Sequence, residues 1–390
     1  MPPHTALARP AVRALMSSRI RDIANAGMND PDVLAFWFGE PDEVTPAFIR
    51  DAAIASLQHG ETFYAQNLGI PPLREAIAGY VGALHRGTDP SEVAVTASGM
   101  SALMVVVEAL VAPNDRVVVV TPLWPNLVEI PKILSANVVT VPLRFGAHGW
   151  SLDVDRLLDA LTPATRVLVI NSPNNPTGWT IDAPARRAVF EHCDRHGIWI
   201  VSDDVYERLY YAEDGPCAPS FLDLAPNDAR VVSTNSFSKA WLMTGFRLGW
   251  IVAPPTLLPD LGKLIEYNTS CSPVFVQRAG VVALRDGEPT VDATRERLRR
   301  ARDRLVDALA ALPGVEVAPP AGAMYAFFRI GNMHDSMTFC RRLVQEAKLG
   351  LAPGSAFGPE GEGFVRWCFA ATDARLDEGV ARLRRFRGTP

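Results

Sequence analysis

Short runs of β-branched and aliphatic residues recur through the middle of this chain, and each is followed by turn residues and then a helical pattern. In Arg116–Thr121, Arg166–Asn171 and Ile198–Asp203 the apolar residues occupy consecutive positions instead of alternate ones. This pattern is typical of strands buried on both faces, as in a parallel sheet covered by helices. Because strand and helix alternate from Val93 to Ala253, the sequence predicts a doubly wound α/β sheet.

The predicted sheet has seven strands. They are expected at Val93–Ala97, Arg116–Thr121, Asn137–Val141, Arg166–Asn171, Ile198–Asp203, Arg230–Asn235 and Leu248–Ala253. The helical pattern between them is clearest over Ser101–Leu110 and Ala183–His196.

The chain changes character after Leu284. A breaker cluster, Asp286–Pro289, precedes a long amphipathic helix that is predicted over Val291–Leu312. Beyond it, a smaller α+β domain is predicted from Val315–Ala318, Ala323–Arg329, Ser336–Ala347 and Phe364–Ala370. We therefore predict a large domain at 48–285 and a C-terminal small domain at 286–390, with residues 1–47 forming an N-terminal arm and part of the small domain.

Composition and charge exclude several classes of protein. Hydrophobic residues make up 48% of the chain and charged residues 21%, which excludes extensive disorder. The formal net charge of −5 lacks the basic excess expected of a nucleic-acid or membrane-surface partner. No apolar run is long enough to span a membrane, and the first residues, MPPHTALARP, lack the apolar core of a secretory signal. We expect a cytoplasmic protein that binds neither nucleic acid nor membranes.

Cysteine and histidine usage argues against disulfides and metals. The five cysteines are an odd number without a CxxC pair, unlike a disulfide framework or a zinc ribbon. His192 and His196 have metal-ligand spacing on a predicted helix, but no third ligand is near them. We predict no metal site.

Chemically useful residues directly follow the predicted strands. In an open parallel sheet, ligands bind outside the carboxyl ends of the strands, so these residues should meet on one rim. They are Ser98, Gly99 and Met100 after the first strand, Trp124 after the second, Asn175 after the fourth, Asp203 and Tyr206 at the fifth, and Ser236, Lys239 and Arg247 after the sixth.

Each of these residues alone says little, since a serine such as Ser98 at a helix start is usually a cap. Together they match the needs of a flat, phosphorylated cofactor with a cationic ring. The helix start at Gly99 suits a phosphate, Lys239 can form a Schiff base, and Asp203 can pair with a ring nitrogen. The chain has neither a Walker A loop nor GxGxxG, so a nucleotide is not indicated.

Ordered motifs along nearly the whole chain resemble the fold-type I, pyridoxal 5′-phosphate (PLP)-dependent aminotransferases of class I/II. The motifs are Phe38–Asp42, Tyr64 with Gly69–Ile77, Asn174–Gly178, Ser202–Glu207, Ser236–Lys239 with Gly245–Gly249, and Pro353–Gly358 with Val365–Arg366. The resemblance implies a PLP-dependent aminotransferase with the fold of that family: a large domain around a mostly parallel seven-stranded sheet, and a small α+β domain. It also implies a homodimer with shared active sites.

The resemblance assigns roles toward the cofactor. Lys239 is expected to form the Schiff base and then to move a proton at the substrate Cα, and Asp203 is expected to pair with the pyridine nitrogen. Asn175 and Tyr206 are expected to hydrogen-bond the phenolic oxygen of the ring, and Trp124 to stack on its face. The residues expected to hold the phosphate are Ser98, Gly99 and Met100 (through backbone N–H), Ser236, Arg247 and, from the neighbouring subunit, Tyr64.

The resemblance also implies how an amino acid is held. Arg366 is expected to clamp the α-carboxylate in a bidentate pair, with Gly39, Phe38 and Asn175 beside the substrate. Both a 2-oxo acid and an amino acid are therefore expected as substrates.

The sequence favours a neutral donor. A dicarboxylate needs a second cation, because an unpaired buried carboxylate costs on the order of several kcal/mol. Where one aspartate-specific subgroup has a lysine, this chain has Met100, and Phe36–Phe38 predicts an apolar mouth. We predict an apolar or aromatic donor, with 2-oxoglutarate still possible as acceptor through an arginine that switches conformation. Arg278 or Arg285 of the partner subunit is the open alternative as a second clamp.

Three other functions fit this scaffold to different degrees. An aspartate-type aminotransferase and a PLP-dependent β-lyase or ring-closing enzyme would share the same lysine and aspartate, and transamination is favoured only as the most frequent of these reactions. The fold also serves as the sensor half of some transcription regulators, which carry an N-terminal helix-turn-helix domain. About 30 residues precede the Phe36–Asp42 segment, too few for such a domain, so we expect an enzyme.

Overall fold

The structure, a computed structural model, describes residues 8–212, 215–331 and 333–386. Its strands are β1 (Leu34–Ala35), β2 (Val93–Thr96), β3 (Arg116–Thr121), β4 (Asn137–Pro142), β5 (Arg144–Gly146), β6 (Gly149–Ser151), β7 (Thr165–Asn171), β8 (Trp199–Asp203), β9 (Val231–Ser236), β10 (Gly249–Val252), β11 (Val315–Glu316), β12 (Tyr325–Ile330), β13 (Leu349–Gly350), β14 (Ala352–Pro353) and β15 (Phe364–Cys368). Its α-helices are α1 (Pro10–Arg13), α2 (Arg19–Asn25), α3 (Ala47–Gln58), α4 (Pro71–Leu84), α5 (Gly99–Leu110), α6 (Pro125–Ile133), α7 (Val154–Ala160), α8 (Ala183–His196), α9 (Leu258–Asn268), α10 (Val274–Asp286), α11 (Glu288–Ala310), α12 (Ser336–Ala347) and α13 (Asp373–Arg385).

Seven strands form the central sheet in the order β2-β10-β9-β8-β7-β3-β4. Neighbouring strands from β9 to β4 are parallel, whereas β10 runs antiparallel to both β2 and β9. The predicted mostly parallel, seven-stranded α/β sheet is therefore confirmed. Each predicted strand is present, and its ends lie within one residue of the prediction.

The consecutive valines of β3 show why these strands are apolar throughout. Successive side chains of a strand point to opposite faces of the sheet. Val118 and Val120 join the core under α3, α4, α8 and α10, whereas Val117 and Val119 join the core under α5 and α9. Both faces are covered, so no position in the strand favours a polar residue.

A second core lies around the four-stranded sheet β11-β12-β15-β14. It contains Ile23 of α2, Leu343 of α12, Leu376 of α13 and Trp367 of β15. The N-terminal segment belongs to this core, because β1 pairs in parallel with β13. The division into 1–47, 48–285 and 286–390 stays a prediction, and residues 1–7 and 387–390 lie outside the described residues.

Helix α11 connects the two parts of the molecule. Val291 near its start packs in the core of the central sheet, whereas Leu298, Leu305 and Leu309 pack in the second core. It begins at Glu288, inside the predicted breaker cluster, because a proline in the first turn has no intrahelical N–H bond to lose. Among the described helices, this one included, none is long and apolar enough to cross a membrane.

Candidate active site

A cleft of about 470 Å³ opens between the carboxyl ends of the central strands and the second core. The predicted residues that line it are Phe38, Gly39, Gly99, Met100, Trp124, Asn175, Asp203, Tyr206, Ser236, Lys239, Arg247 and Arg366. Two predicted residues, Ser98 and Tyr64, do not line the cleft of this chain. Tyr64 is 91% exposed, and its role in a neighbouring subunit stays a prediction.

The connection from β2 to α5 presents the first turn of that helix to the cleft. The Ser98 hydroxyl accepts a hydrogen bond from the Ser101 N–H (3.0 Å), so this side chain caps the helix. A Cβ on Gly99 would lie 3.1 Å from the Ser236 Cβ, and one on Gly249 would lie 2.5 Å from the Gly99 nitrogen. Glycine at both positions lets the helix start and the neighbouring strands pack closely, which leaves the N–H groups of the first turn available to an anion.

Hydroxyl and guanidinium groups complete this anion cradle. The Ser236 hydroxyl donates to the Ser238 hydroxyl over 2.8 Å just after β9, and both residues line the cleft. Arg247 has a left-handed backbone (φ 52) and donates a hydrogen bond to the Thr244 carbonyl (2.7 Å). Such a conformation is costly for a non-glycine residue and is retained most often at functional sites. Together these groups offer one phosphate several donors of different kinds.

Asp203 and Asp204 are consecutive, and their side chains have different surroundings. Asp203 lines the cleft, whereas Asp204 is buried and accepts hydrogen bonds from Ser202 (2.6 Å), Ser233 (2.6 Å) and Ser220 (3.0 Å). Among the described residues, no side chain donates a hydrogen bond to the Asp203 carboxylate. Burial, together with the charge of Asp204, raises the pKa of Asp203 to about 7. A protonated ring nitrogen at this position would favour the charged carboxylate, so Asp203 fits the cofactor.

Lys239 lines the cleft, and its amine donates a hydrogen bond to the Gly39 carbonyl (2.5 Å). Burial lowers the pKa of Lys239 to about 8. A Cβ on Gly39 would lie 1.9 Å from the Tyr325 hydroxyl, so only glycine permits this close approach. An amine with this pKa is partly neutral near physiological pH, as a nucleophile and a proton carrier require.

Arg366 on β15 is buried, and two aromatic rings hold its guanidinium. Its Cζ lies 4.4 Å from the centroid of the Tyr325 ring and 4.9 Å from that of Phe357. It donates hydrogen bonds to Asn175 Oδ1 (2.9 Å) and to the Trp37 carbonyl, while its Nε has no partner among the described residues. A buried guanidinium with spare donors suits a carboxylate ligand.

Several cleft residues were not predicted from the sequence: Ser18, Ile20, Arg21, Leu103, Asn126, Asn171, Val205, Ser238 and Tyr325. Tyr325 begins β12, and its hydroxyl lies 2.7 Å from the Tyr206 hydroxyl. Burial raises the pKa of Tyr325 to about 12. The strand that carries Tyr325 was predicted, but its pairing with the strand that carries Arg366, which brings Tyr325 to the cleft, is visible only in the structure.

The predicted apolar mouth is wrong for two of its three residues. Phe38 lines the cleft, but Phe36 and Trp37 are buried in the second core. The Phe36 ring lies 4.9 Å from the Trp367 ring, and Trp37 covers Gly350, where a Cβ would lie 2.1 Å from the indole. The reason is the pairing of β1 with β13, which carries the following residues along the second core.

The two histidines of α8 contact each other outside the cleft. Their ring centroids are 4.6 Å apart, and His192 Nε2 lies 2.7 Å from the Leu161 carbonyl. Across the described segments, no group of three or more His, Cys, Asp or Glu side chains is placed to hold a metal ion.

Comparison with known proteins identifies the family. The family model for aminotransferase class I and II matches residues 22–383. The chain is 35% identical to an aspartate aminotransferase of Pyrococcus horikoshii over 379 residues, which cover 96% of this chain and 95% of that protein. It is 32% identical to aromatic-amino-acid aminotransferase 2 of Thermococcus litoralis, covering 94% and 95% of the two chains.

A solved structure gives the same result. The aspartate aminotransferase of Thermus thermophilus with maleate superposes with a TM-score of 0.90 at 31% identity, covering 97% of this chain and 99% of the other. The stretch that the family model matches contains the whole central sheet and every residue of the cleft lining except Ser18, Ile20 and Arg21. This chain therefore belongs to the class I and II aminotransferases, a family of PLP-dependent enzymes.

Proposed function

We propose that this aminotransferase uses the cleft to exchange an amino group between a neutral, apolar or aromatic amino acid and a 2-oxo acid. The observation that carries the proposal is the meeting of Lys239, Asp203 and Arg366 in one cleft. When bound, PLP supplies an electron sink for the deprotonated amino acid and carries the amino group between the two half-reactions.

The residues of the cleft fit each part of that cofactor. The first turn of α5, Ser236 and Arg247 would hold the phosphate, and Asp203 would pair with the ring nitrogen. Trp124 would cover the ring, since it lines the cleft at the start of α6. Asn175 and Tyr206 would hydrogen-bond the phenolic oxygen of the ring.

Lys239 is the proposed proton carrier. Its lowered pKa of about 8 keeps a substantial fraction of the amine neutral near physiological pH. Its position beside Gly39, with Arg366 in the same cleft, lets a substrate held by its α-carboxylate present the Cα proton to the amine.

The cleft lining supports an apolar donor. Phe38, Ile20, Met100 and Leu103 all line it, and the Met100 sulfur accepts a hydrogen bond from Asn126 Nδ2 (3.4 Å). A methionine at this place provides no charge for a distal carboxylate, and it adapts readily to apolar side chains.

A panel of amino donors with 2-oxoglutarate and pyruvate, scored by kcat/KM, tests the proposal. We expect phenylalanine, leucine or alanine to exceed aspartate. An equal or higher kcat/KM for aspartate would instead support the aspartate-type alternative. A β-lyase would release ammonia in the absence of a 2-oxo acid, whereas a transaminase stops after one turnover until a 2-oxo acid is added.

We further propose a homodimer in which Tyr64 reaches the phosphate of the neighbouring subunit. Co-expression of Lys239→Ala and Tyr64→Ala chains provides the test. The mixed dimer would contain one site with both native residues, so PLP affinity and activity at low PLP should recover relative to either parent variant. No recovery in an isolated mixed dimer would refute the shared site.

A further inference from the structure

Asn171 lines the cleft, and none of the roles proposed above uses it. Its side chain is buried, and both of its polar atoms are engaged. Nδ2 donates a hydrogen bond to the Asp203 carbonyl (2.9 Å), and Oδ1 accepts one from the Asn175 N–H (2.8 Å). Resting on the roles proposed for Asp203 and Asn175, we propose that Asn171 is a positioning residue. Its amide fixes the group that pairs with the ring nitrogen relative to the group that meets the phenolic oxygen.

Strand pairing explains how one side chain reaches both partners. β7 and β8 are neighbouring parallel strands, and Asn171 pairs with Asp203 at their carboxyl ends. Each residue is the last of its strand, so the chain leaves the sheet directly after both of them. From this position the Asn171 side chain extends from the Asp203 carbonyl on β8 to the Asn175 N–H in the loop after β7. It therefore ties that loop to the end of β8 at the point where the pairing of the two strands ends.

Asn175 extends this arrangement to the proposed clamp for the α-carboxylate. Its Oδ1 accepts a hydrogen bond from Arg366 Nη1 (2.9 Å), and this orientation of the amide leaves Nδ2 to donate to the phenolic oxygen of the ring. Asn171 is thus connected, directly or through Asn175, to the groups proposed to hold the ring nitrogen, the phenolic oxygen and the substrate. Its loss should shift the cofactor and the amino acid relative to each other, and a small misplacement of reacting groups is costly in rate.

An amide suits this position because its two contacts require opposite hydrogen-bonding groups. The Asp203 carbonyl needs a donor, and the Asn175 N–H needs an acceptor. A leucine of similar size provides neither and leaves both buried backbone groups without their partner. An ionised carboxylate is an acceptor only, whereas a protonated carboxyl group has one donor and a free acceptor and so reproduces the pattern of the amide. These differences separate positioning by hydrogen bonds from the mere filling of space.

Titration of cofactor-free protein with PLP, followed by the visible absorbance of the bound cofactor, tests the inference without turnover. Asn171→Leu should weaken PLP binding about tenfold, because two buried backbone groups lose their partner. In the holoenzyme, kcat with the best donor of the panel should fall about 10²-fold and KM should rise. Asn137 provides the matched control, since its exposed side chain donates to the Asn114 carbonyl (2.9 Å) at the other end of the sheet. Asn137→Leu should stay within about twofold of the native enzyme in each measurement.

Asn171→Asp adds a readout that a merely structural role would not move. Burial beside Asp203 should raise the pKa of the new carboxyl group above its ordinary value, so the group is ionised at pH 8.5 and largely protonated at pH 5.5. Relative to the native protein, PLP affinity of this variant should be low at pH 8.5 and should recover at pH 5.5. At pH 5.5 both substituted side chains are uncharged, and Asn171→Asp should bind PLP about tenfold more tightly than Asn171→Leu because only it restores the two hydrogen bonds.

Thermal unfolding of the cofactor-free variants shows whether they fold. Equal PLP affinities of the two variants at pH 5.5, or native affinity in Asn171→Leu, would overturn the assignment of Asn171. If Asn171→Leu does not fold, Asn171→Asp decides alone: recovery of affinity at pH 5.5 supports the assignment, and no recovery overturns it. A native enzyme that binds PLP but exchanges no amino group would refute the proposed function, and the comparison of affinities would still decide the role of Asn171.

Discussion

Replacing Asp203 by asparagine should raise stability and abolish most of the activity. Burial and the charge of Asp204 raise the pKa of Asp203 from 3.8 to about 7 in the folded protein. Because the folded pKa lies above the unfolded one, ionisation of this acid lowers stability progressively from about pH 4 to about pH 7. At 1.36 kcal/mol per pKa unit, the charged carboxylate costs the cofactor-free protein roughly 4 kcal/mol at pH 8.

An asparagine carries no such cost. In cofactor-free protein, we expect Asp203→Asn to raise the Tm by several degrees at pH 8 and by less than half as much at pH 5. With PLP bound the balance reverses, since breaking a buried ion pair by removing one partner costs about 3–5 kcal/mol. That range corresponds to a loss of about 10²- to 4 × 10³-fold in kcat, at about 1.4 kcal/mol per factor of ten.

The assay pairs thermal unfolding of PLP-stripped protein at pH 5 and pH 8 with steady-state kinetics of the holoenzyme. Asp204→Asn is the matched control, because its side chain lies among Ser202, Ser220 and Ser233 instead of facing the cleft. It should retain activity within about tenfold, as expected for rearranged hydrogen bonds. If Asp204→Asn lost most of the activity while Asp203→Asn kept nearly native activity, the assignment of Asp203 would be refuted. A change in Tm that does not depend on pH would refute the electrostatic argument.

The other predictions concern three further groups. Lys239→Ala should lose transamination activity by several orders of magnitude, and borohydride should no longer fix PLP to the protein. Lys263 is exposed and paired with Asp260, so Lys263→Ala should behave as the native enzyme in both assays. The His85 side chain is buried between two carboxylates, which raise its pKa to about 10. The charged imidazole therefore stabilises the protein fully below about pH 6.5, and this stabilisation is lost as the pH rises through 10. His85→Gln should lower the Tm more at pH 6 than at pH 10, and the reverse order would contradict the ion pairs. Tyr325→Phe should lower kcat/KM by about tenfold because the Tyr206 hydroxyl loses its partner, and unchanged kinetics would show that this hydrogen bond is not used in turnover.

The central sheet and its rim could be predicted because local sequence determines them. Asp203 is the last residue of β8 and Lys239 stands in the turn after β9, so the local pattern is enough to put both at the rim, while their roles came from the family resemblance. Tyr325 and Arg21 could not be assigned in the same way. They reach the cleft from β12 and α2, elements that approach the rim only after the two cores have packed together. Phe36 failed for a related reason, since its direction is set by the pairing of β1 with a strand that is remote in sequence.

Three hydrogen bonds in the cleft also connect the central-sheet part of the molecule with the small-domain part. The guanidinium of Arg366 holds the Asn175 side chain, the amine of Lys239 holds the Gly39 carbonyl, and Tyr325 holds Tyr206. In each pair, one partner belongs to the central sheet or its loops and the other to the small-domain side. A substrate carboxylate bound by Arg366 would compete with the Asn175 side chain for the same guanidinium. We therefore expect the angle between the two cores to depend on what occupies the site, which small-angle scattering can measure without following the reaction.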